Sequence, residues 1–190
     1  QVAPWILRQE VSTPAMLDDA LDLVTEKEHK FPGSYLRRAM AGVDTAIWDL
    51  YGRQQDKPVA ELLGGSAGQV RAYASSMKRD ITPQDEANRM RALRDKYGFD
   101  AFKVRAGAEV GRNQDEWPGR TEQIIPAMRG AMGDKAELLI DANSCYTPER
   151  AIEVGLLLQD HGFSHFEEPC PYWELEQTKQ VTDYLDIDVT

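Results

Sequence analysis

The hydrophobic positions of this 190-residue chain change their rhythm once, near Gly65. Before that point they recur at helical spacing. After Ser12-Thr13-Pro14, the residues Met16, Leu17, Ala20, Leu21 and Val24 mark one face of a helix. A second helix opens near Ser34, with Ala39, Val43, Ala46, Ile47 and Leu50 as its apolar stripe, widened by Trp48 and Tyr51. Pro58 then permits a short helix through VAELLGG, stopped by Gly64-Gly65. No strand alternation interrupts this stretch.

Beyond Gly65 short apolar runs alternate with helical stretches. Strands are predicted over Val70–Ser75, Phe99–Arg105, Glu137–Asp141 and Phe163–Glu167, with a fifth starting at Ile187–Thr190. Helices are predicted from Thr82-Pro83 to about Tyr97-Gly98, from about Arg120 to Met132, from Thr147-Pro148 to Gly162, and from about Glu174 to Tyr184. Strict alternation of strand and helix implies an α/β fold with a parallel sheet. Gly-x-Gly-x-x-Gly and the P-loop are both absent, which removes the best support for a nucleotide-binding doubly wound sheet. The alternative is a (β/α) barrel. Such a barrel takes roughly 250 residues and about 125 follow Gly65, so the chain is expected to be part of a longer protein. The domain division expected is 1–65, helical, and 66–190, the first half of the barrel.

A strand–helix–strand of this length favours a right-handed parallel crossover, which brings the carboxyl ends of both strands to one edge of the sheet. Asp141 and Glu167 close consecutive strands and should face each other there, where a hard divalent cation wants carboxylate oxygens. Period-2 geometry puts Ala101, Lys103 and Arg105 on one face of their strand. It does the same for Leu139, Asp141 and Asn143, and for His165 and Glu167. Charged residues converging on one mouth are costly unless they are paired or bind something.

Composition trims the functional classes. A formal net charge of −10 with no basic face argues against a nucleic-acid partner. No apolar run approaches the roughly 20 residues of a membrane span. Cys145 and Cys170 are too few for a disulfide framework, and two reduced thiols near the mouth, in a cytoplasmic protein, are expected.

The segments AGVDTAIWDLYGRQQDKPVAELLGG, FKVRAG, LLIDANS and FEEP, in this order and spacing, resemble the mandelate racemase/muconate lactonizing enzyme family of the enolase superfamily. The resemblance runs from about Tyr35 to Thr190. It implies a (β/α)7β barrel, here its first half, preceded by the helical part of an α+β capping domain whose strand meander lies ahead of Gln1. It implies Mg²⁺ on Asp141 and Glu167, with a third carboxylate ligand following Thr190. It implies a small carboxylate substrate, whose α-proton is abstracted through an enediolate. It also implies a homo-oligomer.

Within that pattern Lys103-Val104-Arg105 stands where the family often has Lys-x-Lys with the second lysine as base. Arginine stays protonated in nearly all settings. Arg105 therefore suits an electrostatic clamp, Lys103 a helper, and Asn143 a substrate contact, with the base on strands six or seven. One-base chemistry is expected, namely dehydration of a sugar acid. A racemase, epimerase or cycloisomerase, and a non-catalytic relative, remain the alternatives. Glu168 is expected to make a supporting hydrogen bond or salt bridge. His165 is expected to be packed or hydrogen-bonded inside, His29 and His161 to face solvent. Trp48 and Tyr51 read as helix packing against the barrel. The loop 108–120 shapes either the mouth or an oligomer contact.

Overall fold

A computed structural model describes residues 2–7, 9–11, 13–30 and 33–190. The chain divides into two compact units, which meet in sequence at Val70 and Arg71.

The first unit is helical: α1 (Ala3–Ile6), α2 (Pro14–Lys27), α3 (Ser34–Gln55) and α4 (Val59–Leu62). The Thr13 hydroxyl caps α2, accepting from the Met16 amide at 3.3 Å. Val2, Val24, Leu36 and Met40 form its core, with Trp5, Ile6, Leu21 and Val43 packed around them. The α3 stripe departs from expectation. Ala39, Ala46 and Leu50 stay exposed in this unit, and the buried line is Leu36 and Met40, with Val43 half-buried. Both lines have helical spacing. Leu36 and Met40 carry far more apolar area than two alanines, and their burial wins against α2. Trp48 and Tyr51 pack edge-to-face on each other, with ring centroids 6.3 Å apart.

The second unit runs β1 (Ala74–Ser75), α5 (Pro83–Tyr97), β2 (Ala101–Arg105), α6 (Arg120–Met132), β3 (Glu137–Asp141), α7 (Pro148–Asp160), β4 (His165–Glu167), α8 (Leu175–Tyr184) and β5 (Asp188–Val189). Its five strands are all parallel and lie in the order β1-β2-β3-β4-β5. A doubly wound sheet reverses its strand order at a switch point. Here each strand neighbours the next, with one helix between, as in a barrel wall. The helices share one side of the sheet. Alternate strand residues Phe102, Val104, Leu138, Ile140 and Phe166 are sealed against Met90, Ile124, Ile125, Met128, Val154, Leu158 and Val181. Each such side chain stabilises the fold by about 1.5–3 kcal/mol relative to exposure. This is a partial TIM-like barrel following a helical segment.

Helix limits follow local chemistry. The Thr82 hydroxyl accepts from the Asp85 amide at 3.1 Å to start α5, and Gly98, at φ +74°, ends it. Thr147 occupies the cap position of α7 but does not cap it. Its amide donates to Asn113 Oδ1 at 2.7 Å, and its hydroxyl accepts from Asn113 Nδ2 at 3.3 Å. Strand limits are tighter than the apolar runs. Val70 and Tyr73 are exposed and lie ahead of β1, which pairs only through Ala74 and Ser75. Phe163 is buried but lies outside the β4 ladder. Among the described residues, no helix is long and apolar enough to cross a membrane.

Candidate functional site

Register sets the site. Arg105 pairs with Asp141 across β2 and β3, and Asp141 pairs with Glu167 across β3 and β4, so the three side chains form one row at the strand ends. Lys103 lies one row lower, opposite Leu139. Its long stem lets the ammonium climb to the upper row, where it contacts Glu167 and lies 3.7 Å from Asp141 Oδ2. The Arg105 guanidinium contacts Asp141 and donates to Asn143 Oδ1 at 2.9 Å. It also donates to the Ser76 carbonyl at 3.1 Å and the Met77 sulfur at 2.7 Å.

Asp141, Arg105 and Lys103 are all but sealed, at 1%, 5% and 6% exposure. Charges this deep are tolerable because they are paired. Burial pulls the Arg105 pKa below its ordinary value, and the Arg79 charge adds to this, against Glu167, Glu168 and Glu109. Arg105 nonetheless remains an arginine and a cation.

Asn143 is the hub. Its amide nitrogen donates to Asp141 Oδ1 at 2.8 Å, and its side-chain oxygen accepts from Arg105 and, at 2.6 Å, from Arg79. Its Nδ2 donates to Glu168 Oε2 at 3.3 Å, the supporting bond expected of that glutamate. The backbone is strained here. Asn143, Ser144 and Glu168 have φ of +44°, +62° and +44°, a region non-glycine residues seldom adopt, and such residues collect at functional sites.

The donor chemistry fits a hard divalent cation. Carboxylates from two adjacent strands converge on one point, and the Lys103 ammonium stands there as counter-ion. The described residues contain no group of three or more metal-binding side chains, and Glu168 is engaged with Asn143. Asp141 and Glu167 thus supply two carboxylates.

The other candidates take ordinary places. His165 Nε2 hydrogen-bonds Thr190 Oγ1 at 2.9 Å. His161 is half-buried with Nδ1 on the Leu157 carbonyl, while His29 is exposed. Cys145 and Cys170 are buried free thiols. Burial pushes both thiol pKa values up, that of Cys170 to about 11, so neither is a nucleophile at neutral pH.

The loop 108–120 lies along the β3–α7 connection. The Val110 amide donates to the Asn143 carbonyl at 3.0 Å, and Asn113 to the Cys145 carbonyl at 2.8 Å. Asp115 accepts from the Thr121 amide at 2.6 Å and pins the start of α6. The loop therefore walls the strand-end face. With Pro171 and Trp173 it also bounds a cleft of about 320 Å³.

Arg79, Ser76 and Met77 escaped the sequence reading. All three follow β1, and the signal was available: every loop after a barrel strand contributes to the mouth.

Comparison with known proteins shows the family. Residues 85–190 match the family described as enolase C-terminal domain-like, and residues 5–64 match the mandelate racemase/muconate lactonizing enzyme N-terminal domain. An arabinonate dehydratase of Saccharolobus solfataricus is 32% identical over 95% of this chain and 49% of its own length. Other curated relatives include a D-galactarolactone cycloisomerase and an L-Ala-D/L-Glu epimerase. A crystal structure from Roseobacter denitrificans, described provisionally as a racemase, is 77% identical with a TM-score of 0.92, over 100% of this chain and 51% of that one. A mandelate racemase/muconate lactonizing protein from Paracoccus denitrificans, complexed with magnesium, is 28% identical with a TM-score of 0.86, over 100% of this chain and 50% of that one. The chain spans about half the length of these proteins. It belongs to the mandelate racemase/muconate lactonizing enzyme family of the enolase superfamily.

Proposed function

We infer that the full-length protein is a Mg²⁺-dependent enzyme that removes the proton α to a carboxylate, and that it dehydrates a sugar acid. The observation that carries this is the row Arg105, Asp141, Glu167, with Lys103 reaching into it from below. In this reading Asp141 and Glu167 hold the metal through carboxylate oxygens, and a third carboxylate comes from beyond Thr190. When bound, Mg²⁺ supplies positive charge to the substrate carboxylate, which makes the α-proton acidic enough to transfer.

The chain's own residues do the rest. Lys103 and Arg105 exchange their present carboxylate contacts for the substrate and present two positive charges where negative charge develops. Burial and the scarcity of water strengthen that interaction. Asn143, held by Asp141, Arg105 and Glu168, orients a substrate hydroxyl through the second N–H of its Nδ2, the donor its present contacts leave over. Arg105 cannot take the proton. The base comes from the remainder of the protein, which supports one-base chemistry. The arabinonate dehydratase relative points the same way.

A second reading, racemisation or epimerisation, is favoured by the 77% identity to the Roseobacter protein described as a racemase. The two separate in one experiment. Full-length protein is incubated with Mg²⁺ in D₂O against a panel of sugar and amino acid carboxylates, with Asp141→Asn as control. Loss of water with deuterium entering at the β-carbon of the 2-keto-3-deoxy product supports dehydration, and deuterium uptake at the α-carbon with inversion supports racemisation. Substrate turnover that persists in Asp141→Asn would sink the metal-dependent mechanism.

A further inference from the structure

Arg79 lies in the β1–α5 loop, half-buried beside Asn143. Its Nε donates to the Gly107 carbonyl at 3.0 Å and its Nη2 to Asn143 Oδ1 at 2.6 Å. Both acceptors are neutral, and a guanidinium carries five N–H donors. Among the described residues Arg79 makes no ion pair. Of the described arginines that are buried or half-buried, two others also lack a carboxylate partner, but they spend their donors more fully. Arg129 serves four carbonyls and Arg120 serves three. Arg79 serves one carbonyl and one amide oxygen.

That amide oxygen is shared. Arg105 reaches Asn143 Oδ1 from one side at 2.9 Å and Arg79 from the other. Two guanidiniums converging on one neutral atom repel each other, and burial sharpens the repulsion. Arg105 is compensated by Asp141. Arg79 is not compensated, and it retains the paired N–H groups that grip a carboxylate edge-on. The cost is relieved when an anion arrives. Asn143 separates this second positive centre from the row of Asp141 and Glu167, so an anion on Arg79 would be a different group from the one bound at the carboxylate pair.

We propose that Arg79 is a specificity-determining residue for a second anionic group on the substrate, and that the acid turned over is a sugar dicarboxylate. One end lies at Asp141 and Glu167, its hydroxyls meet Asn143, and its far carboxylate sits on Arg79. This rests on the functional reading above and narrows its substrate class. A terminal phosphate would present the same charge, and the experiment distinguishes the two.

The test is calorimetric titration of the full-length, Mg²⁺-loaded protein with epimeric six-carbon acids. Each comes as the dicarboxylate (glucarate, galactarate, mannarate), the matching monocarboxylate, and, for glucose, 6-phosphogluconate. For at least one epimer the dicarboxylate binds about tenfold tighter or more than its monocarboxylate, the value of a charge-assisted pair. In Arg79→Gln that ratio falls to near one, and Arg79→Lys keeps part of it. Thermal melting shows which variant is folded and can be read. A wild-type ratio near one for every epimer, including no binding at all, overturns the proposal. So does a preference that survives Arg79→Gln, or one shown only by the phosphate. Deuterium exchange on the same samples keeps the two readings apart. Exchange without any Arg79-dependent preference removes the subsite and leaves proton abstraction standing. An Arg79-dependent preference without exchange on any acid does the reverse.

Discussion

The two faces of the five-stranded sheet solve opposite problems with alternating residues of the same strands. The helix-facing positions Phe102, Val104, Leu138, Ile140 and Phe166 are apolar and sealed. The opposite positions Lys103, Arg105, Asp141 and Glu167 are charged and held in mutual contact. One face draws its stability from leaving water, about 1.5–3 kcal/mol for each large side chain. The other gains little net stability, because desolvating paired ions consumes most of their attraction. A buried charged face of that kind is a costly way to fill space, and chemistry is the better account of it. Period-2 geometry lets a single strand serve both ends without compromise.

The helix-facing side should break first. Leu138→Ala is expected to cost about 2–5 kcal/mol in urea denaturation, the range for a buried leucine whose cavity only partly collapses. A cost within about 0.5 kcal/mol, as at an exposed position, would mean that this face is not the core.

A smaller loss is expected at the rim. Gly107 has φ of +56°, and a Cβ there would lie 2.4 Å from Cys145 Sγ and 2.9 Å from its Cβ. Gly107→Ala should cost about 1–3 kcal/mol, through overpacking and the left-handed conformation together. A melting curve unchanged from wild type would contradict the tight seating of the 108–120 loop on the β3–α7 connection.

The smallest effect belongs outside both faces. Burial raises the Glu122 carboxyl pKa, but the bonds from Arg150 and from its own amide outweigh this and leave it below the ordinary value. A depressed folded value stabilises above the unfolded carboxyl pKa of about 4.3, and the benefit is lost as pH falls through the folded value. The pair is solvated, with the Glu122 side chain 45% exposed. Glu122→Gln should therefore change stability at pH 7 by no more than about 0.5 kcal/mol and slightly flatten the acid limb of the pH–stability curve. A loss of several kcal/mol would show that exposed pairs matter here as much as the buried row.

How much of this the sequence disclosed depends on whether a residue sits in a periodic element. The strand Glu137–Asp141 was legible to the residue and the helices Pro83–Tyr97 and Arg120–Met132 to within about one, because the apolar period is clean there and, at Thr82, the cap agrees with it. The Ser34 helix was legible in its start but not in its end at Gln55. The meeting of Asp141 and Glu167 was legible from strand length and crossover geometry alone. Arg79 was not, because loop residues have no period and the close of β1 was blurred by the apolar Val70 and Tyr73 ahead of it. The buried line of α3 was ambiguous because alanine-rich helices offer two apolar stripes. The Thr147 cap was misread because Asn113, distant in sequence, takes its amide and hydroxyl first. α1, a single turn, gave no sequence signal.

The charged face is proposed as a metal site kept poised by its own cations. Calorimetric titration of Mg²⁺ into full-length wild type and Asp141→Asn, with Leu138→Ala as the control for lost stability alone, tests it most directly. Saturable binding in wild type and Leu138→Ala, weakened at least about tenfold in Asp141→Asn by loss of a charged oxygen ligand, is the predicted result. Equal affinity in wild type and Asp141→Asn, or no binding in wild type, would contradict it and leave the row of charges a structural ion-pair network.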